Sequence, residues 1–117
     1  MKNLEKPEDL IKGLLMAVIQ AQDADLAIQS LMDGGFKVTR LPSAGAFLGY
    51  KSVTLMIGVG DDNQAAAIDI LDETCRQRVA YIAMPMETSS LPMPAPMPVT
   101  IGGASIFTLD VDHYEEF

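Results

Sequence analysis

A change of hydrophobic period near the start of the chain constrains its fold most. Leu14 to Ile19 is an uninterrupted apolar run, too short for a helix of ordinary length and flanked by polar residues, which predicts a strand buried at the centre of a sheet. From Asp23 the period becomes helical: Ala24, Ala27, Ile28 and Leu31 stand at i, i+3, i+4 and i+7, Asp23 is placed to cap the N-terminus, and Gly34-Gly35 stops the helix. Strand followed at once by amphipathic helix is half of a βαβ unit.

The pattern then repeats. Phe36 to Leu41 reads as a second strand, Pro42, Ser43, Ala44 and Gly45 as a bend, and Ser52 to Val59 as a third strand. Asp61, Asp62 and Asn63 offer capping side chains to a second helix that carries Ile68, Leu71 and Cys75 on one stripe and runs to about Arg76. Val79 to Met84 is strand-like again. Between Met84 and Pro98 lie five of the seven prolines and four of the eight methionines, which predicts a long loop. Val99 to Ile101 and Ala104 to Leu109 restore strand character around the Gly102-Gly103 pair.

The order β-α-β-β-α-β predicts an α+β, ferredoxin-like sandwich: an antiparallel sheet with both helices on one face. Its other face would be bare and apolar, so the plan also predicts burial against further subunits. At 117 residues there is material for one domain, taken as residues 14–117 after a polar arm at residues 1–13 that carries Lys2, Glu5, Lys6, Glu8, Asp9 and Lys12. Neither a signal peptide nor a membrane span is expected from that arm.

Sixteen acids against eight bases give a net charge of -8, a field that repels DNA and RNA. Cys75 is the sole cysteine, so no internal disulfide forms, and a buried thiol in a reducing cytoplasm is expected. His113 is the sole histidine and stands in an acidic tail with Asp110, Asp112, Glu115 and Glu116, without the spacing of a metal site or a catalytic constellation. No enzyme, metal or resident cofactor is expected. A phosphate-loop reading of Gly58-Val59-Gly60 fails because Asp61 and Asp62 follow instead of a lysine.

One window breaks the acidic rule. Gly34 to Gly60 holds no carboxylate but contains Lys37, Arg40 and Lys51, the hydroxyls of Thr39, Ser43, Ser52 and Thr54, and Gly45 and Gly49 for close backbone approach. Such a set can hold a phosphate. Phe47 and Leu48 beside it either stack a base or fold into a subunit interface; the residues alone leave both readings open.

The run Phe36, Thr39, Leu41, Gly45, Phe47, Leu48, Thr54 and Gly58-Val59 resembles the PII-like cyclic-di-AMP receptor family. The likeness continues through Asp61-Asp62, Thr74-Cys75, Val99, Gly102-Gly103-Ala104, Phe107 and Phe117. It implies a cytoplasmic, bacterial, non-enzymatic signal-transduction protein, a homotrimer with its sheets packed at the centre. Cyclic di-AMP would bind in clefts between subunits and rearrange loops that contact a downstream protein. Thr39, Gly45, Phe47, Leu48, Gly58 and Phe107 match positions the family uses around the nucleotide. Lys37, with Arg40, would serve the phosphates where an arginine is usual. Ser52 stands for an asparagine and Glu116 for a glutamine at the pocket rim. These departures leave two alternatives: a PII-like trimer sensing another small anion or nucleotide, and a ligand-free interaction scaffold using the loop from Met84 to Pro98.

Overall fold

The computed structural model describes residues 11–47, 50–85 and 94–117. Strand β1 spans Gly13–Gln20 and is followed without a loop by helix α1, Ala21–Asp33. Strands β2, Lys37–Phe47, and β3, Tyr50–Val59, lead to helix α2, Gln64–Cys75. The chain continues through β4, Arg78–Pro85, β5, Pro94–Ile101, and β6, Ala104–Asp110.

Four strands form one antiparallel sheet in the order β2-β3-β1-β6. Alternation along β1 and β3 decides its two faces. Leu15, Ala17, Ile19, Val53, Leu55, Ile57 and Val59 are buried, and with Ala24, Ala27 and Leu31 of α1 and Ala67, Leu71 and Cys75 of α2 they form a single core. Both helices therefore cover one face, as the split βαβ plan requires. Leu15, Leu31, Leu55 and Leu71 have no exposed surface, and truncating any of them to alanine would cost about 2–5 kcal/mol. No helix among the described residues is long and apolar enough to cross a membrane.

Four local readings change. The first helix begins two residues before Asp23, with Gln20 at its N-cap, so Asp23 lies inside the first turn and is buried. Asn63 precedes α2 but turns its side chain backward: its Oδ1 accepts from the Gly60 N–H at 2.6 Å. The stretch Pro42 to Gly45 does not end β2; the strand passes through it with a register shift between Pro42 and Ala46, a bulge of the kind proline and glycine permit.

The fourth change is topological. The strand after α2 does not join the main sheet. β4 pairs with β5 in a two-stranded ribbon, and β6 takes the edge position beside β1. The expected loop from Met84 to Pro98 is narrowed accordingly, since Met84 and Pro85 end β4 and residues 94–98 lie in β5; residues 86–93 lie outside the described residues. Pro94, Pro96 and Pro98 are tolerated in a strand because they recur every second residue, facing Pro85, Ala83 and Tyr81. Antiparallel partners alternate between hydrogen-bonded and non-hydrogen-bonded pairs, so prolines at period two can all occupy positions that owe the ladder no N–H.

The return from ribbon to sheet is made at Gly102 and Gly103, both at positive φ (84° and 100°). A Cβ on Gly102 would stand 2.5 Å from the Arg76 carbonyl oxygen, so only glycine fits the corner. The corner is held by the Gly102 N–H, which donates to the buried Gln20 Oε1 at 2.8 Å, and by the Gly103 N–H, which donates to the Cys75 carbonyl.

Candidate functional site

With the helices on one face, the other face of the sheet is built from the opposite parity of each strand. Lys37, Thr39 and Leu41 of β2 share it with Ser52, Thr54, Met56 and Gly58 of β3. Leu14, Met16 and Val18 of β1 and Phe107 and Leu109 of β6 complete it. Cross-strand register arranges these in rows. One row reads Phe107, Met16, Met56, Thr39; another reads Leu109, Leu14, Gly58, Lys37. Phe107 is 58% exposed and Leu109 48% exposed, so the edge of this face carries uncovered apolar surface.

Five residues singled out from the sequence, Lys37, Thr39, Ser52, Gly58 and Phe107, thus lie on one helix-free surface. Arg40 does not. It faces Leu55 in the ladder and so belongs to the helix side, where its Nη1 donates to Asp25 of α1 at 2.9 Å. Gly45 falls in the register shift of β2, the backbone of Phe47 pairs with Tyr50 at the hairpin end, and Leu48 lies outside the described residues.

Along β3 the group divides. Gly58 and Lys37 mark one end of the face, and Ser52, opposite Gln20, marks the other. At about 3.4 Å per residue the two ends stand about 20 Å apart. Gly58 has a neighbour already, because a Cβ built on it would meet Ile11 Cδ1 at 2.8 Å. Lys37 also has one: Glu116 of the C-terminal tail takes its ammonium in an ion pair, and Tyr114 Oη donates to the same carboxylate at 3.2 Å. These contacts, the hydrogen bond first, hold the Glu116 carboxyl below its usual range and the Lys37 ammonium above its own.

Near the other end, Gln20, Ala21, Gln22 and the exposed Lys51 line a shallow concavity of about 190 Å³. A larger groove of about 610 Å³ runs along α2 and β6, between Leu71, Asp72, Cys75, Gly103 and Ile106, and shares no residue with the set expected from the sequence. Burial pushes the Cys75 thiol in this groove up, away from the reactive thiolate.

One cluster escaped the sequence reading. Asp23 is buried, and the Arg78 guanidinium at the base of the ribbon donates to it with both terminal nitrogens, at 2.6 and 3.4 Å. With Gln20 and Gly102 it ties the ribbon to the start of α1. The available signal was the polar pair Gln20 and Asp23 beside a fully apolar strand, a place where a side chain must find an internal partner.

Residues 12–117 match the family model described as cyclic-di-AMP receptor. This chain belongs to that family. Among solved structures, this cyclic-di-AMP receptor family member is similar to a crystal structure of a functionally unknown protein from Pediococcus pentosaceus ATCC 25745. The TM-score is 0.76 at 26% identity, over 92% of this chain and 99% of that one. Sheet order, helix placement and the family match agree on an α+β, ferredoxin-like receptor domain.

Proposed function

We propose that this chain is a non-enzymatic, PII-like signal-transduction receptor that binds cyclic di-AMP in the clefts between subunits of a cytoplasmic homotrimer. The observation that carries the reading is the placement of Lys37, Thr39, Ser52, Gly58 and Phe107 on one helix-free sheet face in a member of the cyclic-di-AMP receptor family. The split of those residues between two ends of the face supports a shared site. In this reading, apposed copies bring the Lys37 end of one sheet to the Ser52 end of another, ends that lie about 20 Å apart within a single chain. Burying Met16, Met56 and Phe107 between sheets supplies the apolar area that assembly needs.

In this reading the hydroxyl of Thr39 and the ammonium of Lys37 serve the phosphates, while Phe47 and Phe107 contact the bases. Arg40, committed to Asp25 on the helix side, has the weakest claim of the ten residues. The ribbon provides a relay surface, with Val79, Tyr81, Ile82 and Met97 exposed on β4 and β5 for a downstream protein.

A second reading, a trimer sensing a different small anion or nucleotide, is favoured by one observation: the Lys37 ammonium is neutralised by Glu116. A thermal-shift series separates the two. Cyclic di-AMP raises the melting temperature progressively with concentration if it is the ligand. A rise with another nucleotide and none with cyclic di-AMP supports the second reading.

A further inference from the structure

At the Lys37 end of the sheet the tail does not leave the fold. The Val111 N–H donates to the Lys12 carbonyl at 3.0 Å, and the Lys12 N–H donates to the Val59 carbonyl at 2.8 Å, so the chain beyond β6 turns across the end of β1. From Asp110, which pairs with Gly13, it continues past β3 to β2, where Glu116 meets Lys37. Crossing from β6 to β2 spans three strand spacings, about 14 Å. The extended segment from Asp110 to Glu116 reaches about 20 Å, so the strap is long enough without stretching.

The carboxylate at its end offers Lys37 what a ligand phosphate offers: charged oxygen acceptors for an ammonium with no directional fork. One lysine cannot serve both at full strength. We propose that the C-terminal tail is a built-in anionic occupant of the Lys37 subsite, so that Glu116 has to leave Lys37 before a ligand phosphate is accepted. The proposal rests on the receptor reading above and adds its regulation. Ligand binding and release of the tail end around Glu116 become one event, which gives the receptor a second signal besides the exposed surface of the ribbon. Arg40 offers no way round the competition, because it lies on the opposite face with Asp25. The depressed pKa of Glu116 means that the occupant is ionised at neutral pH.

The test titrates the full-length wild type and Glu116→Gln with cyclic di-AMP, while the heteronuclear NOE of the Tyr114 and Phe117 backbone amides reports tail order in both proteins. The amide side chain keeps size and hydrogen bonding but removes the charge. Glu116→Gln binds about threefold or more tighter than wild type, in the range of an exposed ion pair, and its tail is mobile without ligand. The wild-type tail is ordered without ligand and becomes mobile on saturation. The competition is overturned if the wild type binds but Glu116→Gln binds equally or more weakly, or if the saturated wild-type tail stays ordered. Absence of binding to both proteins defeats the receptor reading itself and this proposal with it.

Discussion

Arg78 and Asp23 form a bridge between the base of the β4–β5 ribbon and the first turn of α1, with Nη2 2.6 Å from Oδ1 and the aspartate side chain 5% exposed. The two residues are fifty-five positions apart, and the ribbon otherwise makes its contacts chiefly within itself. The bridge fixes where the ribbon leaves the domain.

Removing the cation strands a buried carboxylate. Arg78→Ala is expected to destabilise by about 2–3 kcal/mol in urea unfolding, below the value for a fully enclosed pair because water reaches the arginine. Replacing both partners, Asp23→Leu with Arg78→Met, restores most of that loss. A double variant no more stable than Arg78→Ala would show that the pair acts through geometry rather than charge.

Two glycines at positive φ separate conformational strain from steric exclusion. Around Gly35 (φ 88°) there is nothing within 4 Å of an added Cβ, whereas at Gly102 the Arg76 carbonyl is 2.5 Å away. Gly35→Ala should cost about 1–2 kcal/mol, the left-handed penalty alone. Gly102→Ala should cost clearly more and loosen the ribbon, measured as faster proteolysis between β4 and β5. Equal costs at both sites would contradict the account of the corner.

The strap has a pH window set by its two charges. Glu116 has its carboxyl depressed below the ordinary 4.5, so its contribution is complete above 4.5 and disappears as pH falls through the lower, folded value. Lys37 is raised above 10.5, so its contribution is complete below 10.5 and is lost as pH rises through the higher value. The Glu116 carboxyl carbon, followed by NMR, should titrate below a free glutamate in wild type and return toward it in Lys37→Gln. An unshifted wild-type titration would remove the strap.

If the helix-free face is where copies meet, Met56→Asp disrupts assembly while leaving the subunit folded, because that side chain points away from the core. Gel filtration should show a smaller species with unchanged far-UV circular dichroism. Loss of secondary structure instead would place Met56 in the subunit's own core.

Periodicity revealed much of the fold and little of the connections. The buried alternation of Leu15, Ala17 and Ile19 and the stripe Ala24, Ala27 and Leu31 report one-sided burial, which hydrophobicity records directly. Strand pairing is not recorded that way, so Val79 to Met84 gave no sign that it would pair with a proline-rich segment outside the main sheet. Counting prolines suggested a loop; the spacing of Pro94, Pro96 and Pro98 at every second residue carried the better information. For the site, residue types singled out Lys37, Thr39 and Arg40, and the family resemblance added Phe107, but parity put Arg40 on the other face, a distinction made only by exact register. That Glu116 would reach Lys37 depended on the path of the tail, which no local pattern encodes.

Isothermal titration calorimetry of the wild type with cyclic di-AMP, with cyclic di-GMP and ATP as controls and Thr39→Val as the variant, tests the receptor reading most directly. The account predicts saturable binding of cyclic di-AMP near one ligand per subunit, weakened about tenfold or more by Thr39→Val, with no saturable binding of the controls. No heat with cyclic di-AMP at either of two temperatures would contradict it, since the heat-capacity change of binding prevents the enthalpy from vanishing at both.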